Sequence, residues 1–413
     1  MKKLIVFFIT LTIATISSNV FAMNNTDILL NIKQYSNEAI LNDAQINELN
    51  KNIINTIPSV IDIFDLGSSL KGDTIKEYIK NISIRSNASR YSTDGTLLND
   101  NYYTSIYNNM NLGNLNNTNI LKFGIIVSRS SLKKFPTTDC AFSSTTSSYD
   151  RFLETTLYVG EPIVILQESA DSKFYFVAMY NYMGWVNKNN IALCSRDLLY
   201  MYATCPNFLT ITNNNTLSMN NNIQLDLGSK LPLLAVDINY NLVGLIPAKR
   251  TDGSLYFIRD SIYRIDCYKG YMDYSTRNLI KITTKIIGEP YGWGGSNNSR
   301  DCSSYVMDVF RVFGINLPRN TNEQENIPAH TKKIMNTHDF STLDIGTLLF
   351  MDNHIMIYLG TYQDIQYIIH DTPGYFINKK FIKANGVTIS KLDIYSSKNI
   401  SYKKLIYKAI TLK

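Results

Sequence analysis

The 413-residue sequence is poor in charge: Asp, Glu, Lys and Arg together make up 18% of it, and no run of basic residues occurs. The excess of Lys and Arg over Asp and Glu is +6, spread thinly along the chain, so nothing in it would track a phosphate backbone and nucleic acid is not expected as a partner. Neither Cys-x-x-Cys nor His-x-x-x-His spacing is present, which removes the usual signatures of a zinc site. After Ile16 no apolar stretch approaches the ~20 residues of a membrane span. With 45% hydrophobic residues the chain is too apolar to stay disordered, and it is too long for one ordinary core, so two to four domains are expected.

The early apolar run is of a different kind. Lys2 and Lys3 precede 13 residues from Leu4 to Ile16, and Val20 and Ala22 occupy small-residue cleavage positions. This pattern reads as a signal peptide over residues 1–22, too short and too interrupted by Thr10, Thr12 and Thr15 for an anchor. The protein is therefore expected to be exported, to a periplasm or to the extracellular wall, with no membrane span after the leader is removed. In such a compartment disulfides persist, and of five cysteines at least one must stay free. Cys140 with Cys194 and Cys205 with Cys267 would each close within one domain, with Cys302 set apart by its surroundings.

Periodicity divides the rest. Residues 23–119 show helical spacing in Ile28 to Ile32, Ile46 to Ile57 and Ile75 to Ile84, and read as a helical supporting segment. Its Asn- and Tyr-rich end, Leu98 to Asn119, reads as a loop or linker. Residues 120–195 shorten to period two, as in Leu157 to Gln167 and Lys173 to Tyr180, and residues 196–269 repeat this in Leu231 to Tyr240, Leu242 to Ala248 and Ser254 to Ile258. Two adjacent small β-barrels are expected. Tyr175, Tyr180, Tyr182 and Trp185 could line a groove, but strand aromatics more often pack in a core.

Residues 270–413 carry the chemistry. Apolar residues Tyr305, Val306, Val309, Phe310 and Phe313 recur at helical spacing after Cys302, and Gly314 supplies a stop, so the helix runs from about Cys302 to Phe313. Cys302 sits in its first turn, where unpaired N–H groups and the positive end of the dipole favour a thiolate and can hold an oxyanion. His330 and His338 lie in a polar connection, whereas His354 begins one strand and His370 ends another. A hairpin turn centred on Tyr362 would set His354 opposite His370, one imidazole pairing with the thiolate and the other fixing its tautomer. A one-residue slip would break that arrangement. Zinc held by Cys302, His354 and His370 is a third possibility that no spacing supports.

The run PYGWGG, then DCSSY at Cys302, LPRN followed by Gln324, NHIMIYLG at His354 and YIIH at His370 resembles the NlpC/p60 cysteine peptidases of bacterial cell walls over about residues 270–413. The stretch ending in Trp185-Val186 resembles the first of two bacterial SH3-like domains, and the segment after Met23 resembles a helical stabilising segment. The resemblance implies an α+β fold: a papain-like catalytic domain preceded by two small SH3-like β-barrels and a helical N-terminal segment. It implies hydrolysis of peptidoglycan stem peptides, commonly between the γ-carboxyl of D-glutamate and a diamino acid, without a cofactor. By position Cys302 would be the nucleophile, His354 the base, His370 the orienting residue and Tyr291 an oxyanion support. Asp301, Ser303, Arg319 and Asn320 would lie near substrate, and the first barrel would help form the groove. The partner would be peptidoglycan or a released muropeptide, met as a monomer.

Three positions depart from the family pattern: DCSS stands for DCSG, Gly346-Thr347 for Gly-Asp, and Tyr291 lies one residue closer to Cys302 than is common. The rival readings are a wall-binding protein with an inactive papain-like domain, and an amidase or acyltransferase with the same thiol chemistry.

Overall fold

A computed structural model describes residues 35–334 and 337–413. The leader expected over residues 1–22 and the run Ile28 to Ile32 lie outside the described residues. Among the described residues no helix is long and apolar enough to cross a membrane.

The segment before residue 120 is helical but is not one unit. Helix Asp43–Thr56 opens on a capping box between Asn42 and Gln45 and buries Ile46 and Ile53. That face packs with Leu279, Ile280 and Phe313 of the last domain, and Asn50 Nδ2 donates to the carbonyl of Gly314 at 2.8 Å. Helices Gly72–Ile82 and Asp100–Asn109 instead pack into the core that holds Phe135, Phe152, Phe176 and Trp185. The Asn-rich stretch expected as a loop or linker, Leu98 to Asn119, thus holds a helix in its first half. Asn99 caps it by accepting from the Tyr102 N–H, and Tyr103, Ile106 and Met110 form its buried stripe, a signal masked by the polar residues between them.

Strands from Lys122 to Cys194 form a seven-stranded antiparallel sheet. Trp185 is buried in it against Phe176, and its Nε1 donates to Ser83 Oγ at 3.3 Å. Tyr175 is core as well, whereas Tyr180 reaches the last domain by donating to the Leu317 carbonyl. Helix Arg196–Ala203 leads to a five-stranded sheet between Phe208 and Lys269. The disulfides expected here do not form: all described cysteines are free thiols. Cys140 lies beside Asp150 and Lys133 while Cys194 packs in the core with Leu198, and the Cys205 and Cys267 thiols each donate to a local carbonyl, of Asn207 and Tyr263.

The last domain is α+β, with helices Thr276–Lys285 and Cys302–Arg311 before a six-stranded antiparallel sheet. One sheet face, carrying Ile355, Ile357 and Ile369, packs on the Cys302 helix through Val306, Val309 and Phe310. The opposite face, with Met356, Tyr358 and Ile368, is closed by Phe340 and Tyr402.

Buried charges clamp the three sheets together. Arg129, from the first, pairs with Asp226, between strands Phe208–Ile211 and Lys230–Val236 of the second, and donates to the carbonyls of Gly295 and Ser299 in the third domain. Arg300, fully buried, binds Glu289 and Asp308 and reaches Asn214 across the boundary. Charges removed from water are tolerated only when so paired, which makes the relative placement of the sheets stiff.

Candidate active site

The glycine-rich turn Trp293–Asn298 has Gly294 at φ 62° and Gly295 at φ 87°. A Cβ on Gly295 would stand 2.3 Å from Thr156 Oγ1, and that hydroxyl donates to the Gly294 carbonyl at 2.9 Å. Glycine is required here because the left-handed turn must also admit the first sheet at close range.

Asp301 caps the Cys302 helix. It accepts from the Ser304 N–H at 2.9 Å, and Ser304 Oγ returns the bond by accepting from the Asp301 N–H at 2.9 Å. The serine that departs from DCSG thus closes a capping box. Arg319 donates to Asp301 Oδ2 at 2.6 Å, to Ser303 Oγ at 2.8 Å and to Thr155 Oγ1 at 2.6 Å. Burial alone would raise the Asp301 carboxyl, but the Arg319 guanidinium and the Ser304 bonds hold it below the usual range.

Cys302 is 7% exposed and lies in a groove of about 680 Å³. Tyr291, Asp301, Ser303, Arg319 and Asn320 line the same groove, so every residue expected near substrate borders it. Glu154 of the first sheet, Lys134 and Arg151 from the loops beside its strands, and Arg90 of the helical segment form part of its wall. Tyr149 stacks on Trp293 and packs edge-on to Tyr291 at 6.0 Å. These wall residues carry no motif and were missed in the sequence.

The two remaining rings are joined. His354 Nε2 and His370 Nδ1 share a hydrogen bond of 2.9 Å, and His370 Nε2 is 3.2 Å from Ser390 Oγ. Tyr402 packs edge-on against both imidazoles, and Tyr375 stacks on His370. The expected register is corrected: the turn is Gln363-Asp364, both at positive φ, so Tyr362 faces Ile365. A bulge between Tyr358 and Gly360 then sets Ile357 opposite Ile369. His354 and His370 are diagonal rather than facing neighbours.

Among the described residues Cys302 makes no hydrogen bond to His354. Its Sγ lies 4.0 Å from Thr321 Oγ1. The expected ionised sulfur is also corrected: burial, then the Asp301 carboxylate, push the Cys302 thiol up to about 12. Burial lowers His354 to about 4, and burial with His354 beside it lowers His370 further. Burial thus favours a neutral thiol beside neutral imidazoles in the resting site. Among the described residues no group of three His, Cys, Asp or Glu is placed to hold a metal ion.

Residues 288–407 match the model of the NlpC/P60 family, and residues 139–187 match that of the SH3 domain of the SH3b1 type. Over 119 residues the chain is 33% identical to a probable endopeptidase NlpC homolog of Haemophilus influenzae, covering 28% of this chain and 54% of that one. It is also 33% identical over 119 residues to the bifunctional muramidase/DL-endopeptidase CwlT of Bacillus subtilis, covering 26% of this chain and 34% of the relative. The match thus spans about half, or less, of these relatives' length. A solved NlpC/P60 endopeptidase from Photobacterium damselae subsp. piscicida superposes over 90% of this chain and 93% of its own with a TM-score of 0.69 at 20% identity, a likeness of fold. The chain carries an NlpC/P60 domain over residues 288–407, preceded by an SH3 domain of the SH3b1 type at residues 139–187.

Proposed function

We propose that the protein is an exported cysteine endopeptidase that hydrolyses peptidoglycan stem peptides at the γ-D-glutamyl–diamino acid bond. The observation that carries this reading is the chain His354 Nε2 to His370 Nδ1 to Ser390 Oγ, beside a groove that contains Cys302. With His354 donating its Nε2–H and His370 donating its own to Ser390, the His354 Nδ1 lone pair is left as the base.

Because the resting pair is uncharged, attack and proton transfer are coupled. The Cys302 proton moves to His354 Nδ1 as sulfur bonds to the carbonyl carbon, and the oxyanion is held by first-turn N–H groups and Tyr291. The imidazolium then protonates the departing amine, and water, deprotonated by the same ring, releases the acyl group. His370 stabilises the imidazolium by accepting from it. The SH3b1 domain supplies Arg151 and Glu154 to the groove wall and so contributes to specificity, and the five-stranded sheet is read as a second SH3-like domain.

Digestion of purified muropeptides followed by mass spectrometry tests this. Products split between D-glutamate and the diamino acid, absent with Cys302→Ala, are expected. No cleavage by the wild type, or unchanged cleavage by the variant, would remove the proposal. Products cut at another amide would replace the bond while keeping the thiol chemistry.

A further inference from the structure

Asp371 directly follows His370 in strand Ile365–Ile377 and is fully buried, and neither of its carboxyl oxygens has a hydrogen-bond partner. Strand alternation turns it away from His370. Its cross-strand partner Val387 packs in the same core as Cys302 and Tyr305, which places Asp371 in the layer between the sheet and the Cys302 helix. It does not line the groove.

Charged and titratable groups face it from each element around that layer. Cys302 and Asp301 stand at the helix start and Tyr305 follows them, Glu289, Tyr291 and Arg300 come from the segment before the helix, and Tyr149 comes from the first sheet. The cation among them is already engaged, since Arg300 is bound to Glu289 and Asp308. Asp301 is committed to Arg319. Arg300 keeps one unpartnered nitrogen, Nη2, but no hydrogen bond joins it to Asp371, so a carboxylate here would lack a donor in contact, and a buried charge in that position gives up its ionisation instead. Burial, then Asp301 and Glu289, push the Asp371 carboxyl up to about 9 against the opposing pull of Arg300. A buried acid with both oxygens orphaned weakens a fold, so its presence behind the nucleophile calls for a functional account.

Resting on the peptidase reading, we propose that Asp371 is a positioning residue whose proton keeps negative charge out of the layer behind Cys302 and Tyr291, so that losing it under alkaline conditions switches the site off. Acyl transfer places negative charge first on sulfur and then on the carbonyl oxygen. A second anion beneath them opposes both, without touching substrate.

The test compares wild type with Asp371→Asn, which keeps the shape and removes the titration. The rate of Cys302 alkylation by iodoacetamide and kcat/KM on purified muropeptide are followed from about pH 6 to about pH 11. In the wild type kcat/KM should fall roughly tenfold per pH unit above about 9, and the rise of the alkylation rate should break there. In Asp371→Asn both features should move upward by at least about one pH unit. Identical alkaline limbs in the two proteins would overturn the proposal. Failure of the wild type to cleave muropeptide would remove the peptidase reading alone, because the alkylation profile still reports the coupling between Asp371 and Cys302. Should Asp371→Asn not fold, wild type labelled with carbon-13 at aspartate carboxyls decides. One carboxyl should remain protonated at about pH 7 and titrate near 9, and its absence would sink the idea.

Discussion

His354 and His370 share a 2.9 Å hydrogen bond although they do not face each other across the hairpin. Continuing the pairing Ile357 with Ile369 sets His370 beside position 356, two residues from His354 on the same face. Near the turn the register is one residue different, Thr361 facing Gln366, and the bulge that absorbs the difference leaves Leu359 as the extra residue.

That pairing gives a direct test of the paired rings. Inserting one alanine between His354 and Ile355 should leave the register from Ile355 onward in place and turn His354 to the opposite face from His370. We expect kcat/KM to fall by at least about a hundredfold, the scale of a lost general base. The two imidazole spins should also lose their mutual coupling in NMR. Retained activity would show that the bond between the rings is dispensable.

The neutral resting site makes Cys302 a slow thiol. With the thiol near 12, its thiolate fraction at pH 7 is about 10⁻⁵, and reaction with iodoacetamide should keep rising with pH rather than level off between about pH 5 and 8. A preformed thiolate–imidazolium pair predicts such a plateau. The pH–rate profile for the Cys302 peptide, read by mass spectrometry, separates the two.

Arg319 ties the helix cap to the first sheet, and its guanidinium is 3% exposed. Removing it strands Asp301 as a buried, unpaired carboxylate. Arg319→Met should cost roughly 3–5 kcal/mol in urea unfolding, the range for breaking one partner of a buried pair. Replacing both members, Arg319→Met with Asp301→Asn, should recover part of the loss, and a double variant no better than the single would show that the ion pair is not the source.

Acid should weaken the fold through the imidazoles. His354 titrates near 4 when folded and at an ordinary value near 6.5 when unfolded, and His370 is depressed in the same direction. Between those values the unfolded chain binds protons that the folded chain refuses, so stability rises with pH and is lost as pH falls from about 6.5 toward 4. Urea midpoints at about pH 7 and pH 5 should therefore differ more in the wild type than in His354→Gln with His370→Gln. Equal differences would assign the acid sensitivity to carboxylates instead.

The candidate catalytic residues were legible because each is bound to a local pattern. Cys302 begins a helical stripe of apolar residues after a run of glycines, and His354 and His370 bound apolar strands, so their placement on elements follows from periodicity alone. The hairpin register was not legible, since a bulge of one residue leaves no mark in alternation. The helix from Asp100 to Asn109 was hidden because asparagine is common to caps and loops alike, and only burial of Tyr103 and Ile106 separates the cases.

By itself, then, the order of residues determined which side chains could act and on which elements they ride, because helix and strand periods are local. Three matters were decided only by the tertiary structure: the groove wall drawn from Arg90, Arg151 and Glu154, the neutrality of Cys302, and the isolation of Asp371. Each depends on desolvation and on charges brought together from distant parts of the chain, and a dielectric environment is a property of packing that no local spacing encodes.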